Sequence, residues 1–192
     1  MKNIVLTDER VLLKPLEQYN WEDLLEYVVN ETDIWKYAHT PLVGEQGIKD
    51  YIQYALDERD KGTSLPFIVF DLEKEKYVGS TRFYGINHKQ KSLLIGYTWY
   101  SKQTQGTGIN VHCKYLLLKY AFEFMEMERV EFRADARNER SIGAMKRLGA
   151  VQEGVLRKEI IINDGSRRDT VILSILREEW FNHVKKNLEE RL

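Results

Sequence analysis

A stretch with two glycines lies between two segments of opposite character and strongly constrains what this chain can fold into. Residues 103–108 read Gln-Thr-Gln-Gly-Thr-Gly. The preceding residues 93–100 are rich in β-branched and aromatic side chains, which is typical of a strand. From Ile109 to Phe124, apolar residues recur with the spacing of one face of an α-helix. The pattern therefore predicts a strand that enters a glycine-containing loop, and a helix that begins where the loop ends.

Such a loop can bind an anion, because the first turn of a helix has N–H groups without intrahelical partners and a positive dipole end. Gly106 and Gly108 would let the anion approach the backbone without meeting a Cβ. The stretch thus indicates a phosphate or pyrophosphate site; the alternative is a turn that needs glycine and binds nothing. It lacks the Gly-Lys-Ser/Thr ending of a Walker loop and the three glycines of a dinucleotide fingerprint.

Composition excludes several classes of protein. The 192 residues suit a single domain, 1–192, and the net charge of -1 argues against a nucleic-acid surface. Cys113 is the one cysteine, so no internal disulfide can form, and its place on the apolar helix face predicts a buried core thiol. With no signal peptide or membrane-length apolar run, the expected location is cytoplasmic, without a membrane partner. The histidines show no metal-ligand spacing, so no metal site is expected: His39, His88, His112 and His183.

Periodicity predicts a single α+β layer domain with mostly antiparallel strands. The predicted strands are residues 11–16, 66–70, 77–84, 93–100, 130–134, 151–162 and 170–176. The predicted helices are 21–28 with Asn20 as N-cap, 45–61, 109–127, 139–148 and 177–192. The strands before and after helix 109–127 are expected to be parallel, and Asn163-Asp164-Gly165-Ser166 predicts a hairpin turn.

Further motifs follow the glycine loop. Residues 138–141 read Asn-Glu-Arg-Ser, 145–150 read Met-Lys-Arg-Leu-Gly-Ala, and 153–157 read Glu-Gly-Val-Leu-Arg. Together with Gln-x-x-Gly-x-Gly at 103–108, they resemble the signatures of the GNAT superfamily of N-acetyltransferases, most closely its RimJ/RimL-like branch. That branch is named for ribosomal-protein N-terminal acetyltransferases. The resemblance covers nearly the whole chain.

The resemblance implies a seven-stranded mixed sheet that is splayed between its fourth and fifth strands, with acetyl-CoA bound in the gap. It also implies direct transfer of the acetyl group to a primary amine in a ternary complex. Backbone N–H groups of residues 105–110 would hold the pyrophosphate, and residues 98–100 would pair with the pantetheine like an added strand. The implied cofactor-binding residues are Thr98, Trp99, Tyr100, Gln103, Gln105, Gly106, Thr107, Gly108, Ile109, Asn110, Asn138 and Ser141.

The departing thiolate needs a hydrogen-bond donor. Many superfamily members use a tyrosine at the position of Met145, but a methionine cannot donate a proton. In the RimL-like branch the serine of Asn-x-x-Ser is the implied thiolate partner, which here is Ser141. The alternative interpretation of Ser141 is a residue of the first helical turn that satisfies backbone groups.

A base or a water chain must deprotonate the amine before it attacks. Relatives often carry a glutamate at the position of Leu94, so the resemblance leaves Glu159 as the candidate base. Its alternative role is a solvated strand charge, and Glu31 and Asp33 are further candidates. The developing oxyanion would be stabilised by strand backbone N–H groups near Tyr97 to Trp99.

The acceptor could be a protein N-terminus, a polyamine, an amino acid or an amine antibiotic, since acceptor loops diverge within one fold. The candidate substrate-binding residues are Trp35, Tyr37, Tyr84 and Tyr97, and the alternative for the first two is packing. A rival function is a GNAT-fold sensor that binds acyl-CoA without catalysis, and a third is a nucleotide-binding domain. Either a monomer or a homodimer is compatible with the sequence.

Overall fold

The structure is a computed structural model that describes residues 4–37, 42–162 and 165–192. His39 and two positions of the predicted turn, Asn163 and Asp164, lie outside these residues. The strands are β1 (Leu6–Thr7), β2 (Val11–Pro15), β3 (Leu65–Asp71), β4 (Lys76–Asn87), β5 (Ser92–Tyr100), β6 (Arg129–Asp135), β7 (Val151–Ile161) and β8 (Arg167–Leu176). The α-helices are α1 (Trp21–Asn30), α2 (Gly44–Asp60), α3 (Ile109–Lys119), α4 (Glu139–Arg147), α5 (Arg177–Glu179) and α6 (Lys185–Glu189). Short 3-10 or π-helical segments are Gln18–Asn20, Thr32–Trp35, Lys102–Thr104, Tyr120–Phe124 and Trp180–Val184.

All the described strands form one mixed sheet in the order β1-β2-β3-β4-β5-β6-β8-β7. Every neighbouring pair is antiparallel except β5 and β6, which are parallel and connected through α3. The α+β architecture and the parallel crossover therefore agree with the expectation from periodicity.

The strand count differs from the predicted seven, because β1 is an eighth strand. Its two residues pair with β2, Leu6 opposite Leu13 and Thr7 opposite Leu12. Asp8 makes the turn between them, since its carboxylate accepts the N–H groups of Arg10 and Val11, both at 2.9 Å. Two residues are too few to show an alternating pattern, so periodicity could not reveal this strand.

The sheet splays between β5 and β6. These strands pair only from Ser92 opposite Arg129 to Leu94 opposite Glu131, and the described residues provide no partner across the gap for the remainder of each strand. On its other side β5 continues to pair with β4, with an irregularity around Tyr97, whose φ is 49°. This gap is the implied opening between the fourth and fifth of the seven strands that the sequence predicts.

Each face of the sheet carries its own hydrophobic cluster. α3 and the C-terminal helical segment cover one face, where Tyr100 is buried. α1 and α2 cover the other face, where Trp99 is buried. Successive residues of β5 therefore anchor opposite layers, as the alternation of a strand requires. Cys113 is fully buried in the first cluster, and burial raises the pKa of its thiol to about 12, which confirms the expected inert core thiol.

Asn20 precedes α1 as predicted, but its side chain does not cap that helix. Its Oδ1 accepts the N–H of Glu17 at 2.9 Å, and its Nδ2 donates to Asp23 at 2.9 Å. The 3-10 turn Gln18–Asn20 comes directly before α1. It directs the side-chain oxygen of Asn20 to the N–H of Glu17 and not to an N–H group in the first turn of α1. The predicted capping role was therefore wrong, although the position of the helix start was right.

The close approach of β4 and β5 beside the splay can be tested at Gly79. A Cβ at this position would overlap the carbonyl oxygen of Trp99 and lie 3.0 Å from Cα of Tyr100. We expect Gly79→Ala to lower the free energy of unfolding in urea by about 2 kcal/mol, because neither backbone can yield cheaply. Gly154→Ala, in β7, is the matched control, since its Cβ would meet nothing within 4 Å. Equal stabilities for the two variants would contradict the close approach.

Candidate functional site

The glycine loop is shaped by hydrogen bonds that leave its tip open. Gln105 donates from Nε2 to the carbonyl of Tyr100 at 2.9 Å, and Thr107 donates from Oγ1 to the carbonyl of Thr104 at 2.8 Å. Gly106 and Gly108 adopt φ values of 83° and 91°, which favour glycine. A Cβ on either glycine would meet nothing within 4 Å, so space lies next to this backbone.

Four of the six N–H groups implied for pyrophosphate binding have no backbone acceptor within the described residues: Gly106, Gly108, Ile109 and Asn110. The other two close turns, because Gln105 donates to the carbonyl of Lys102 at 3.3 Å and Thr107 donates to that of Thr104 at 3.4 Å. The side chain of Gln103 is exposed, while its carbonyl accepts Nζ of Lys74 at 2.9 Å. The four free donors converge on the start of α3, where an anion is electrostatically favoured.

Beyond Leu94, no described strand pairs with the edge of β5 that faces the splay. The side chains of residues 98–100 are already engaged, because Trp99 and Tyr100 are buried in the two clusters and Thr98 bonds to Thr81 at 2.7 Å between hydroxyls. Only the backbone of this stretch is therefore available to an extended ligand, which is the geometry of strand addition.

Lys114 of α3 lies next to residues 98–100, and the sequence did not indicate a role for it. Its Nζ donates to Oγ1 of Thr98 at 2.6 Å and to Oγ1 of Thr81 at 3.2 Å, and its side chain is buried. Burial lowers the pKa of Lys114 to about 8. A lysine beside an apolar helix face ordinarily points to solvent, so the sequence carried no signal for this position.

Asn138 and Ser141 lie on the other side of the gap between β5 and β6, at the start of α4. Oδ1 of Asn138 accepts the N–H of Ser141 at 3.1 Å and so caps α4. The side-chain nitrogen Nδ2 of Asn138 and the hydroxyl of Ser141 make no hydrogen bond within the described part of the chain, so both remain available to a ligand. Met145 is buried in the core and takes no part in the site.

Two carboxylates and an arginine lie on β6 and β7. Glu159 accepts Nη1 of Arg133 at 2.9 Å through Oε1, while its Oε2 is buried without a partner among the described residues. Glu131 accepts Nε of Arg133 at 2.7 Å and Nη2 of Arg129 at 2.9 Å. Glu131 is also the neighbour of Leu94 across the parallel pair, and sequence reasoning missed it because the register of two strands places it there.

Two predicted substrate-binding tyrosines lie together on the face covered by α2. The rings of Tyr84 and Tyr97 are 5.1 Å apart and nearly perpendicular. Burial raises the pKa of Tyr84 to about 12, and the charges of Arg133 and Glu131 act on the same hydroxyl. Burial likewise raises the pKa of Tyr97. Neither hydroxyl ionises near neutral pH, so both can donate hydrogen bonds but cannot serve as bases.

The other two predicted substrate residues, Trp35 and Tyr37, lie in the segment that follows α1. This segment contacts both sides of the gap between β5 and β6. Trp35 packs on Trp99 with 4.7 Å between ring centroids, which agrees with its alternative role in packing. Tyr37 donates to the carbonyl of Arg137 at 3.2 Å, just before Asn138.

The two further base candidates, Glu31 and Asp33, lie at the N-terminal end of this segment. Glu31 accepts the N–H of Lys102 at 2.7 Å, and Asp33 pairs with its Nζ at 2.9 Å. Glu31 and Asp33 thus fasten the segment to the glycine loop. Both carboxylates therefore bond to Lys102 and lie at the glycine loop.

Within the described ranges, no group of three or more His, Cys, Asp or Glu residues could hold a metal ion. None of the helices in those ranges is both long and apolar enough to span a bilayer.

A splayed mixed sheet with free N–H groups in a glycine loop on one side of the gap and an extended free strand edge is the fold type of acyl-CoA transferases. The model of the acetyltransferase (GNAT) domain family matches residues 10–151, and the chain belongs to this family. The predicted family, its fold and its enzyme class, N-acetyltransferase, are thereby confirmed.

Known proteins agree with this assignment. YdaF of Bacillus subtilis (strain 168), by name a candidate ribosomal N-acetyltransferase, is 33% identical over 102 residues, which span 53% of this chain and 55% of YdaF. The structure of a candidate acetyltransferase from T. thermophilus is 33% identical, with a TM-score of 0.86 over 98% of this chain and 96% of that one. Microcin C7 self-immunity acetyltransferase MccE, solved with acetyl-CoA and AMP, is 23% identical, with a TM-score of 0.77 over 88% of this chain and 93% of that one.

The buried Lys114 predicts a specific pH dependence of stability. Its pKa falls from 10.5 in the unfolded chain to about 8 in the folded protein, so the unfolded state holds more protons between these values. The free energy of unfolding of the wild type should therefore rise from pH 8 toward pH 10 relative to Lys114→Met, by on the order of 2 kcal/mol. Urea unfolding across that range measures it, with exposed Lys89→Met as control. Parallel profiles for wild type and Lys114→Met would contradict the assignment.

Proposed function

We propose that this protein transfers an acetyl group from acetyl-CoA to a primary amine by direct attack in a ternary complex. The observation that carries the proposal is the cluster of free N–H groups at the start of α3, with open space beside them and the unpaired edge of β5 next to them. Together these donors and the free strand edge match the two parts of a ligand that carries an anionic group and an extended chain.

The residues present suit acetyl-CoA, which supplies the acetyl group as a thioester when it is bound. The free amides of Gly106, Gly108, Ile109 and Asn110 would hold the pyrophosphate at the positive end of α3. The backbone of residues 98–100 would bond to the pantetheine, and the free amide of Asn138 would bond to it from the other side of the gap. The acetyl-CoA in the MccE structure supports this cosubstrate for the fold.

The chain also offers donors for the charge that develops on the thioester oxygen. In the β4–β5 register, Arg82 faces Gly96 and Ser80 faces Trp99, so Tyr97 and Thr98 lie outside the ladder. Their backbone N–H groups would be the fixed donors that stabilise the oxyanion. The hydroxyl of Ser141 would donate to the departing thiolate.

The base is one of the two carboxylates that share Arg133. Glu159 has a buried oxygen, Oε2, that no described residue bonds, and Glu131 lies beside Leu94, where relatives often have a glutamate. Either would accept the proton of the incoming ammonium, directly or through a water. We assign the role first to Glu159, because its bond to Arg133 is through its other oxygen, whereas both oxygens of Glu131 accept from arginines.

The proposal includes a cytoplasmic location, because a reducing compartment keeps a free thiol such as Cys113 unpaired. The name of YdaF supports a ribosomal acceptor as one candidate among amines.

Asn110→Glu tests the pyrophosphate loop without straining a glycine. A carboxylate in the first turn of α3 should leave the melting temperature unchanged or higher, because it complements the helix dipole. The same charge should weaken CoA binding at least tenfold at low salt, and added salt should reduce the effect. Calorimetric titration measures both affinities, with Asn110→Gln as the uncharged control. Normal CoA affinity of Asn110→Glu would refute the location of the pyrophosphate.

Kinetics of acetyl transfer test the two assigned side chains. We expect Glu159→Gln to lower kcat roughly a hundredfold with the affinity for CoA retained, because general bases contribute effects of that size. Ser141→Ala should also lower kcat and leave CoA binding intact. Glu153→Gln, on the same strand as Glu159 but paired with Arg129, is the control. If Glu131→Gln alone abolishes turnover, the role of base passes to Glu131.

The rival function, an acyl-CoA sensor without catalysis, has one specific observation in its favour. Met145 is buried where many superfamily members place a proton donor, and the carboxylates of the cleft are held by arginines. The sensor predicts CoA binding without thiol release on any amine, whereas the enzyme releases thiol on one class of amine.

A further inference from the structure

Arg82 of β4 is a buried charge that no carboxylate of the described chain pairs with. Only 1% of the residue is exposed, and its Nε and Nη2 are buried without a hydrogen-bond acceptor among the described residues. Buried polar groups in native proteins are nearly always hydrogen-bonded, and leaving a charged donor unsatisfied is costly. An unpaired guanidinium therefore indicates an acceptor that this part of the chain does not supply.

Aromatic rings surround this guanidinium. Its Cζ lies 3.9 Å from the ring centroid of Tyr97, 4.8 Å from that of Tyr51 and 5.9 Å from that of Tyr54. The ring faces stabilise the positive charge through their quadrupoles but accept no N–H bonds in the guanidinium plane. The arrangement thus holds the cation in place while donors in its plane remain unused.

Two other arginines of this chain show what a structural role looks like. Arg10 pairs with the fully buried Asp71, and Arg59 pairs with Glu17 at 2.9 Å. The carboxylate that acts on Arg82 through space is Glu58, but Glu58 bonds to Lys61 at 2.8 Å and to Thr63 at 3.0 Å. The described chain thus gives carboxylate partners to Arg10 and Arg59 and withholds one from Arg82.

The position of Arg82 connects it to the proposed reaction. Arg82 is directly opposite Gly96 in the β4–β5 register, one residue before Tyr97. Neighbouring strands are about 4.8 Å apart, so the guanidinium starts one strand away from the backbone that would bind the thioester oxygen. It shares the sheet face of Tyr84 and Tyr97, which α2 covers through Tyr51 and the half-exposed Tyr54.

We propose that Arg82 binds a carboxylate of the amine acceptor and so determines the substrate class. This inference rests on the proposed function and deepens it. A guanidinium binds a planar carboxylate with two parallel N–H bonds, which neither a lone amine nor a polyamine can accept. The acceptor is then an amine with a carboxylate a few bonds away. That chemistry occurs in a free amino acid and in a peptide with an acidic residue beside its N-terminus.

Matched acceptor pairs test the proposal and separate the two sources. The first pair is glycine and glycinamide, and the second is an amidated tripeptide with Asp or with Asn next to its N-terminal alanine. Each is titrated calorimetrically into the CoA-saturated protein, and acetyl transfer from acetyl-CoA is followed by thiol release. We expect the carboxylate member of at least one pair to be favoured roughly tenfold to a hundredfold in Kd or kcat/KM.

Three variants assign the preference to Arg82. Arg82→Met should reduce the preference for the carboxylate member of each pair to near unity, with CoA affinity unchanged. Arg82→Lys keeps the charge but loses the planar guanidinium, and it should retain a small part of that preference. If Arg82→Met does not fold, the reduced preference of Arg82→Lys still tests the proposal. Arg59→Met, which removes a guanidinium with its own carboxylate, should leave the preference intact.

The outcomes distinguish the two levels of the argument. Equal binding and turnover of both members of each pair, or a preference that survives in Arg82→Met, would overturn the role of Arg82 while the transferase stands. Absence of CoA binding would overturn the proposed function itself. Binding of carboxylates without turnover of any amine would support the Arg82 site and favour the sensor.

Discussion

The site exists because β5 and β6 stop pairing after Leu94 and Glu131. Parallel neighbours that continued to the ends of both strands would consume the backbone groups on which the proposed function depends. Two features hold the strands apart. The irregularity at Tyr97 keeps β5 turned toward β4, and the alternating burial of Trp99 and Tyr100 fixes β5 between two independent layers. The edge of β5 that borders the gap is therefore fixed by packing on both faces of the sheet.

The separation of β5 from β6 also determines where the carboxylates and arginines of the candidate site lie. Where the strands still pair, Leu94 is opposite Glu131, so a carboxylate on β6 lies next to this position of β5. Arg133 then joins Glu131 to Glu159 on β7, which makes one network of the candidate bases. The network thus places both candidate bases of the proposed reaction on one guanidinium.

Much of this fold could be predicted from the sequence, because long elements have periodic patterns and the glycine loop has a local signature. Seven strands and the helices that flank them follow from alternation and helical spacing. Lys114, Glu131 and Arg82 could not be found in this way, since each looks like an ordinary polar residue at a regular position. Their roles arise from what neighbouring strands and helices place around them, and a one-dimensional pattern does not contain that information.

Polar groups that the described chain leaves unpaired point to the two halves of the site. Arg10, by contrast, is a buried charge with a carboxylate partner, Asp71. At the start of α3 backbone donors are free, and at Arg82 a guanidinium is free. Both sets are donors, so both await an anion, and they lie on opposite sides of the strand whose edge would bind the thioester. A pyrophosphate on one side and an acceptor carboxylate on the other would bring thioester and amine together over Tyr97. The polarity of the unsatisfied groups therefore argues that this transferase recognises negative charge on both of its substrates.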